Sequence, residues 1–387
     1  MVFLAERVKN VKPSPTLAML NRAKELKKKG GPVLDFSVGE PDFDTPQNIK
    51  DAAAKAMREG FTKYTDPRGI LELREAIAQK LRKENKVDAA PENIVVSHGA
   101  KHALFNVFAA LCEKGDEVII PAPYWVSFSE MVKLCEATPV ILASKNLKFS
   151  PEELQEKVSG KTKLLVLNYP NNPSGVIYTR NELEKIAQVA VENNFFVISD
   201  EIYEKFIYTG EPFTSFASLG KEIADLTITV NGVSKTYAMT GWRIGYLCAR
   251  KEITDAISAC QGNASGNPNS IAQKAALEAI TGPQDFVKKM VAEFAKRREI
   301  ISKGFSEIRG FECEKPMGAF YAFPSVAKCF GAKARNSSGL ASFLLEELKI
   351  AAVPGRDFGK EGFMRFSFAT STDTITQGIE RLKKQFN

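Results

Sequence analysis

Histidine is almost absent from this sequence: His98 and His102 are the only two in 387 residues. They stand four apart in HGAKH, a spacing that could put two ligands on one helix face. The glutamate of the HExxH metal motif is missing and no third ligand is evident, so no metal is expected. Cysteine is also sparse, and Cys112, Cys135, Cys248, Cys260, Cys313 and Cys329 include no CxxC pair. Most sit in apolar runs such as LCEKG and YLCAR, which reads as buried free thiols in a reducing compartment. No apolar run approaches the length of a membrane span, and MVFLAERVKN has no apolar core of signal-peptide length. A cytoplasmic chain without membrane contact is the expectation. A strong excess of one charge is lacking too. The formal charge of +7 is modest for this length, and the lysines are scattered over helix faces, as in NRAKELKKKG and LRKENK. That reads as solvated surface, not as a nucleic-acid track, and leaves room only for a weak preference for anionic small molecules. There is no internal repeat and no low-complexity segment.

Apolar residues, by contrast, are plentiful. At 44% hydrophobic content the chain can bury a large core, and its length favours two domains. The candidate strands are NIVVS (93–97), EVIIP (117–121), KLLVLNY (163–169), FFVISD (195–200), LTITV (226–230) and IGYLCA (244–249). Between them, KHALFNVFAALCEK and RNELEKIAQVAVENN read as helices, with apolar residues at helical spacing. This alternation predicts an α/β fold with a mostly parallel sheet covered by helices. In such sheets ligands collect beyond the carboxyl ends of the strands. The pattern changes after TGPQ, near residue 283. QDFVKKMVAEFAKRREIISKGFSEI reads as one long amphipathic helix, and shorter strands follow in AFYAFP, KIAAVP and FMRFSFA. A large domain over 46–282 and a smaller α+β domain built from 1–45 and 283–387 are therefore expected. The N-terminal part contributes the helix LAMLNRAKELKKK and the strand VLDFSV.

The ends of the candidate strands hold the residues able to do chemistry. After NIVVS, the turn HGAKHALF opens a helix at Gly99, Ala100 and Lys101, where backbone N–H groups and the helix dipole suit a phosphate. Alone, this is an ordinary strand–helix turn. Tyr124 and Trp125 follow EVIIP and by themselves read as core aromatics. Asn171, Asn172 and Pro173 follow KLLVLNY and by themselves read as a tight turn. Asp200 closes an apolar strand, where a carboxylate is costly unless it meets a cation, a proton donor or a helix to cap. Tyr203, three residues on, can face the same cleft. Lys235 and Arg243 lie in NGVSKTYAMTGWRIG (231–245), between two strands. Together these groups offer a glycine loop and an arginine for a phosphate, a carboxylate for a cationic ring nitrogen, a flat aromatic and a lysine amine. Those features match the needs of pyridoxal 5'-phosphate. A lysine amine held near positive charge and away from water has a lowered pKa, which suits attack on an aldehyde and proton transfer.

The motifs VGEPDFDTP (38–46), YWVSF (124–128), NYPNNPSG (168–175), SDEIYEKF (199–206) and SKTYAMTGWRIG (234–245), with a final MRFSFA, resemble the fold-type I, class I aminotransferases. The resemblance runs over essentially the whole chain. Within that group the chain is similar to bacterial aspartate aminotransferases, some of which also use prephenate. The resemblance implies a mostly parallel seven-stranded sheet in the large domain and a homodimer with shared active sites. It implies amino acids and 2-oxo acids as substrates, and ping-pong transfer of the amino group of L-aspartate to 2-oxoglutarate.

Residue by residue, the resemblance makes Lys235 the amine that joins the cofactor and carries the substrate proton. Asp200 becomes the partner of the ring nitrogen, Tyr203 and Asn172 those of the phenolic oxygen, and Trp125 the stacking ring. Gly99, Ala100, Lys101, Ser234 and Arg243 surround the phosphate, and Tyr64 reaches the phosphate of a neighbouring subunit. Arg365 grips the substrate α-carboxylate with its planar fork, and Gly39 and Asn172 complete that end. Lys12, Thr16 and Lys101 match distal-carboxylate positions, which favours dicarboxylic substrates, and Lys12 is also linked with prephenate. One departure is Gly232, where many relatives carry a serine that contacts the phosphate; Ser234 is the nearer hydroxyl. The same cofactor residues would serve an aromatic or alanine aminotransferase, or a C–S lyase. The scaffold also occurs as an effector-binding domain of transcriptional regulators, but the early start of the core leaves no room for the DNA-binding domain this requires.

Overall fold

The computed structural model describes residues 3–387 apart from 14 and 29, and leaves the side chains of residues 15, 16, 17, 20 and 27 undescribed. The side chain of Thr16, an expected distal-carboxylate residue, therefore lies outside the described residues. A seven-stranded sheet forms the centre of the larger part of the molecule. In chain order its strands are β1 (Ile94–Ser97), β2 (Glu117–Ala122), β3 (Thr138–Ala143), β4 (Thr162–Asn168), β5 (Phe196–Asp200), β6 (Thr227–Gly232) and β7 (Gly245–Cys248). They lie side by side as β1-β7-β6-β5-β4-β2-β3. All neighbours are parallel except β7, which runs antiparallel to β1 and β6. Six strands fall on the apolar runs that predict them. β3 does not: Pro139 interrupts its run, and the strand sits at the sheet edge, where a missing N–H is tolerated.

Helices cover both faces, so the central strands are apolar on both sides. Val166, Ile198, Val230 and Leu247 pack towards Leu104, Val107 and Phe108 of α1 (Ala100–Leu111) and Phe128 and Val132 of α2 (Ser127–Leu134). Leu165, Leu167 and Val197 point the other way, onto Leu183 and Ile186 of α3 (Arg180–Glu192). Each such side chain contributes about 1.5–3 kcal/mol by leaving water. The two-residue alternation of β5 carries a polar consequence at its end. Asp200 continues the Ile198 row towards α1, whereas Ser199 and Glu201 belong to the opposite face. Beyond β6, Gly232 leads directly into the short helix α4 (Val233–Thr236), which carries Lys235.

The two ends of the chain share a core. Leu34 and Phe36 pack with Met290, Phe294, Ile301 and Phe305 of α5 (Asp285–Ser306) and with Phe366 and Phe368. Leu34–Asp35 pairs in parallel with Ile350–Ala351, while Val353–Pro354, Met364–Ser367 and Tyr321–Ala322 form an antiparallel trio. The segment KIAAVP is thus split between two sheets. Ile202, Tyr203 and Phe206, just after β5, belong to this same core and join the large sheet to the C-terminal layer. Among the described residues no helix is long and apolar enough to cross a membrane.

Candidate active site

Glycines let three backbone segments meet at the carboxyl ends of the strands. A Cβ on Gly245, the first residue of β7, would stand 2.1 Å from Ala100 N at the start of α1. A Cβ on Gly99, at φ +82°, would stand 2.4 Å from Arg243 Nη2. Only glycine fits at either position. Arg243 consequently lies over the amino end of α1, whose first N–H groups have no partner within the helix. Its own backbone is left-handed, at φ 56°. Its Nη1 donates to Thr240 O at 2.7 Å and its Nη2 to His98 O at 3.5 Å.

A cavity of about 340 Å³ opens beside this corner. Its walls bring together Gly39, Ala100, Lys101, Trp125, Asn172, Asp200, Tyr203, Ser234, Lys235, Arg243 and Arg365. Gly99 lies just outside, beneath Arg243. Two further expected residues are not brought to the cavity wall. Tyr64 is 96% exposed, and Lys12 is exposed, its backbone N–H donating to Glu130 Oε2 at 2.9 Å. The walls also include Leu104, Ser127, Asn168, Ile202, Thr240 and Tyr321, to which the sequence reading gives no role. Ser127, Asn168, Ile202 and Thr240 lie within its motifs, whereas Tyr321 had only its place in the strand AFYAFP as a signal.

The charge of the cavity is unbalanced: Lys101, Lys235, Arg243 and Arg365 face a single carboxylate, Asp200. Asp200 is buried and accepts from Ile202 N at 3.3 Å. Burial pushes its pKa up to about 7, against the lowering effects of that hydrogen bond and of Lys235. Lys235 Nζ donates to Gly39 O at 2.6 Å. Burial lowers its pKa to about 8, helped by Arg243 and Arg365 and opposed by Glu40 and Asp200. Tyr203 and Tyr321 share a hydrogen bond between hydroxyls at 2.8 Å, and burial raises the pKa of both. Lys101 Nζ lies 4.9 Å from the centroid of the Trp125 ring, and burial, then Arg243, lowers its pKa.

Arg365 is the largest of the fully buried side chains, at 1% exposure. Its Nη1 donates to Asn172 Oδ1 at 3.0 Å and its Nη2 to Ser37 O at 2.7 Å. Its Nε is buried without a partner. The Tyr321 and Phe358 ring centroids lie 4.7 and 5.0 Å from its Cζ. Burial lowers its pKa. A buried cation without a counter-charge is costly, and an arriving carboxylate relieves that cost.

Gly232, the departure from the expected serine, has a steric reason. It sits opposite Gly245 in the β6–β7 ladder. A Cβ on it would stand 2.9 Å from Gly245 Cα and 3.1 Å from Ile244 O. A serine cannot enter without moving the strands apart, and Ser234 supplies the hydroxyl on the cavity wall instead.

The family description "Aminotransferase class I and II" matches residues 31–382. The chain is 47% identical to the "Probable aspartate/prephenate aminotransferase" of Aquifex aeolicus over 98% of each chain. It is 44% identical to the aspartate aminotransferase of Bacillus sp. (strain YM-2), over 99% of this chain and 98% of that one. Among solved structures, the aspartate aminotransferase from Rhizobium meliloti superposes with a TM-score of 0.96 at 38% identity, covering 99% of this chain and 98% of the other. The Thermus thermophilus aspartate aminotransferase with maleate superposes at 0.94 with 40% identity, covering 99% of this chain and 100% of the other. Matched along almost its whole length in both sequence and backbone, the chain belongs to the class I and II aminotransferases.

Proposed function

We propose that this aminotransferase moves the amino group of L-aspartate to 2-oxoglutarate, with pyridoxal 5'-phosphate as its cofactor. The observation that carries the proposal is Arg365. It is a buried guanidinium held on two nitrogens and unpartnered on the third, in the wall of the cavity that also holds Lys235 and Asp200. Such a fork takes a carboxylate in paired hydrogen bonds. The relatives named aspartate aminotransferase and aspartate/prephenate aminotransferase support the choice of amino acid.

The residues present fit the cofactor. Asp200 is a buried carboxylate without a side-chain cation hydrogen-bonded to it among the described residues. Ala100, Lys101, Ser234 and Arg243, with Gly99 beneath, offer donors for a phosphate, and Trp125 offers a flat face. When bound, pyridoxal phosphate supplies an aldehyde that takes up an amine and a ring that accepts electrons. Asp200 holds a proton at the ring nitrogen. Tyr203, already steadied by Tyr321, orients the ring's phenolic oxygen together with Asn172. Arg365 binds the substrate α-carboxylate, and the Gly39 backbone borders that end. The Lys235 amine, neutral above about pH 8, takes the proton from the substrate Cα. Lys101 binds the distal carboxylate; Lys12, which stands off the cavity wall, and Thr16 would join it on closure of the N-terminal segment, and Lys12 would then extend the range to prephenate as a further amino acceptor.

In this reading residues 46–282 form the large cofactor-binding domain, and 1–45 with 283–387 form the small one. The exposure of Tyr64 supports a homodimer in which it reaches the phosphate site of a second copy. The six free thiols support a reducing compartment, the cytoplasm. The test is to load the purified protein with pyridoxal phosphate and follow the cofactor absorbance while single amino acids are added. Aspartate and glutamate should convert it to the pyridoxamine form. Conversion by alanine or phenylalanine but not by aspartate would sink the substrate assignment.

A further inference from the structure

The strand ends that carry Asp200 and lead to Lys235 have a second polar side, turned away from the cavity. Glu201 lies on it at 0% exposure. Its Oε1 accepts from Ser199 Oγ at 2.9 Å, Ser215 Oγ at 2.7 Å and Phe216 N at 3.2 Å. Its Oε2 is buried and unpartnered, and so are Thr229 Oγ1 and Asn231 Nδ2 on β6. Register makes these residues neighbours. Ser199 stands opposite Thr229, Asp200 opposite Val230, and Glu201 N donates to Val230 O at 2.9 Å. Thr229 and Asn231 in turn stand opposite Cys248 and Tyr246 of β7, and the charge of Glu201 helps raise the pKa of both those groups. Three unmatched polar atoms therefore share one buried layer behind the sheet. Interiors resolve such groups with a bound water making two to four hydrogen bonds.

We infer that Glu201 is a positioning residue: through one buried water shared with Thr229 and Asn231, it braces the end of β5 against the end of β6 and fixes the spacing of Asp200 and Lys235. The water donates to Glu201 Oε2 and accepts from Asn231 Nδ2, and Thr229 Oγ1 is its third partner. Gly232 and α4 follow Asn231 directly, so the brace ends within one helical turn of the lysine. Ser215 and Phe216 fasten the same carboxyl to the loop that covers this face. Glu204 and Lys80 act on Glu201, which in turn acts on Tyr169, Tyr246 and Cys248. Lys80 is the only cation among them and is paired with Glu204. The inference rests on the reading of Asp200 and Lys235 as the partners of the cofactor.

Two readouts on Glu201→Ala, Glu201→Gln and Thr229→Val test it. The first uses the cofactor-free protein: amide hydrogen exchange over residues 199–203 and 232–236. Glu201→Ala should speed exchange about tenfold in both segments and leave α5 unchanged, while Glu201→Gln, which keeps an acceptor oxygen, should stay near the parent. The second is the pH midpoint of the visible cofactor band in the loaded protein, which reports the charge around Lys235. Glu201→Ala should move it by about half a unit, and Thr229→Val in the same direction by less. Parent-like exchange at 232–236 in Glu201→Ala overturns the inference, because Glu201 would then hold only its own strand. If Glu201→Ala does not fold, Thr229→Val decides: unchanged exchange at 199–203 overturns it. A parent protein that takes up no cofactor at Lys235 would instead sink the reading of the site, and the exchange experiment would still judge the brace.

Discussion

Arg365 and Arg243 mark the two ends of one cavity and are held in opposite ways. Arg365 is buried, tied to Asn172 and Ser37 and flanked by the Tyr321 and Phe358 rings. Arg243 is exposed, hung on the carbonyls of Thr240 and His98 above a helix end. Neither is hydrogen-bonded to a carboxylate among the described residues. On the proposed function, an anion whose shape completes its donors relieves the buried guanidinium, so that end would discriminate. The exposed one adds to the field of a helix terminus and tolerates water, so on the same reading that end would supply affinity with less selectivity.

The comparison has meaning only if the amine between the two ends does the chemistry. Lys235→Ala should therefore abolish steady-state transamination, and full activity in that variant would remove the scheme. Arg365→Ala comes next. Stripping one partner from a buried, hydrogen-bonded charge pair costs about 2–5 kcal/mol, so kcat/KM for aspartate should fall about a thousandfold with cofactor binding unchanged. A loss under tenfold would erase the contrast between the ends. Arg243→Ala should show the reverse split. Cofactor affinity should drop about tenfold, more at low salt, while turnover at saturating cofactor stays close to the parent. Lys101→Ala sharpens the substrate side: turnover of aspartate should fall about tenfold and that of neutral amino acids less. Equal losses would take the distal carboxylate away from Lys101.

The smallest effect is one of pH. Burial raises the pKa of Glu201 to about 7 in the folded chain, from 4.5. A carboxyl raised in this way gives its full stabilisation below about pH 4.5 and loses it as pH rises through about 7. Glu201→Gln should thus gain in melting temperature relative to the parent by a few degrees between those limits. A gap that does not change with pH would show that Glu201 is not the titrating group.

Most of the sheet is legible in the sequence because its strands are buried on both faces and read as apolar runs. β3 is hidden by Pro139, whose missing N–H the edge position of the strand tolerates. The cavity residues were legible where the motif and the strand end coincide, as at Asn172, Asp200 and Lys235. Tyr321 was not, since its role comes from a hydroxyl contact with Tyr203, 118 residues away in the chain. Nor was the polar layer behind Asp200. SDEIYEKF gives no sign that Glu201 turns inward, because that follows from the register of β5 on β6. Gly232 was legible only as an anomaly, and its cause lies in a strand that comes later in the chain.

That cause ties together groups that a point substitution would treat as separate. Gly232 faces Gly245, and Gly245 faces the first amide of α1. The clearance between the strand that leads to Lys235 and the amino end of α1 is therefore set by hydrogen atoms alone. A side chain at either glycine wedges Lys235 and the α1 amides apart, and, on the proposed function, with them the span between aldehyde and phosphate that the cofactor would have to match.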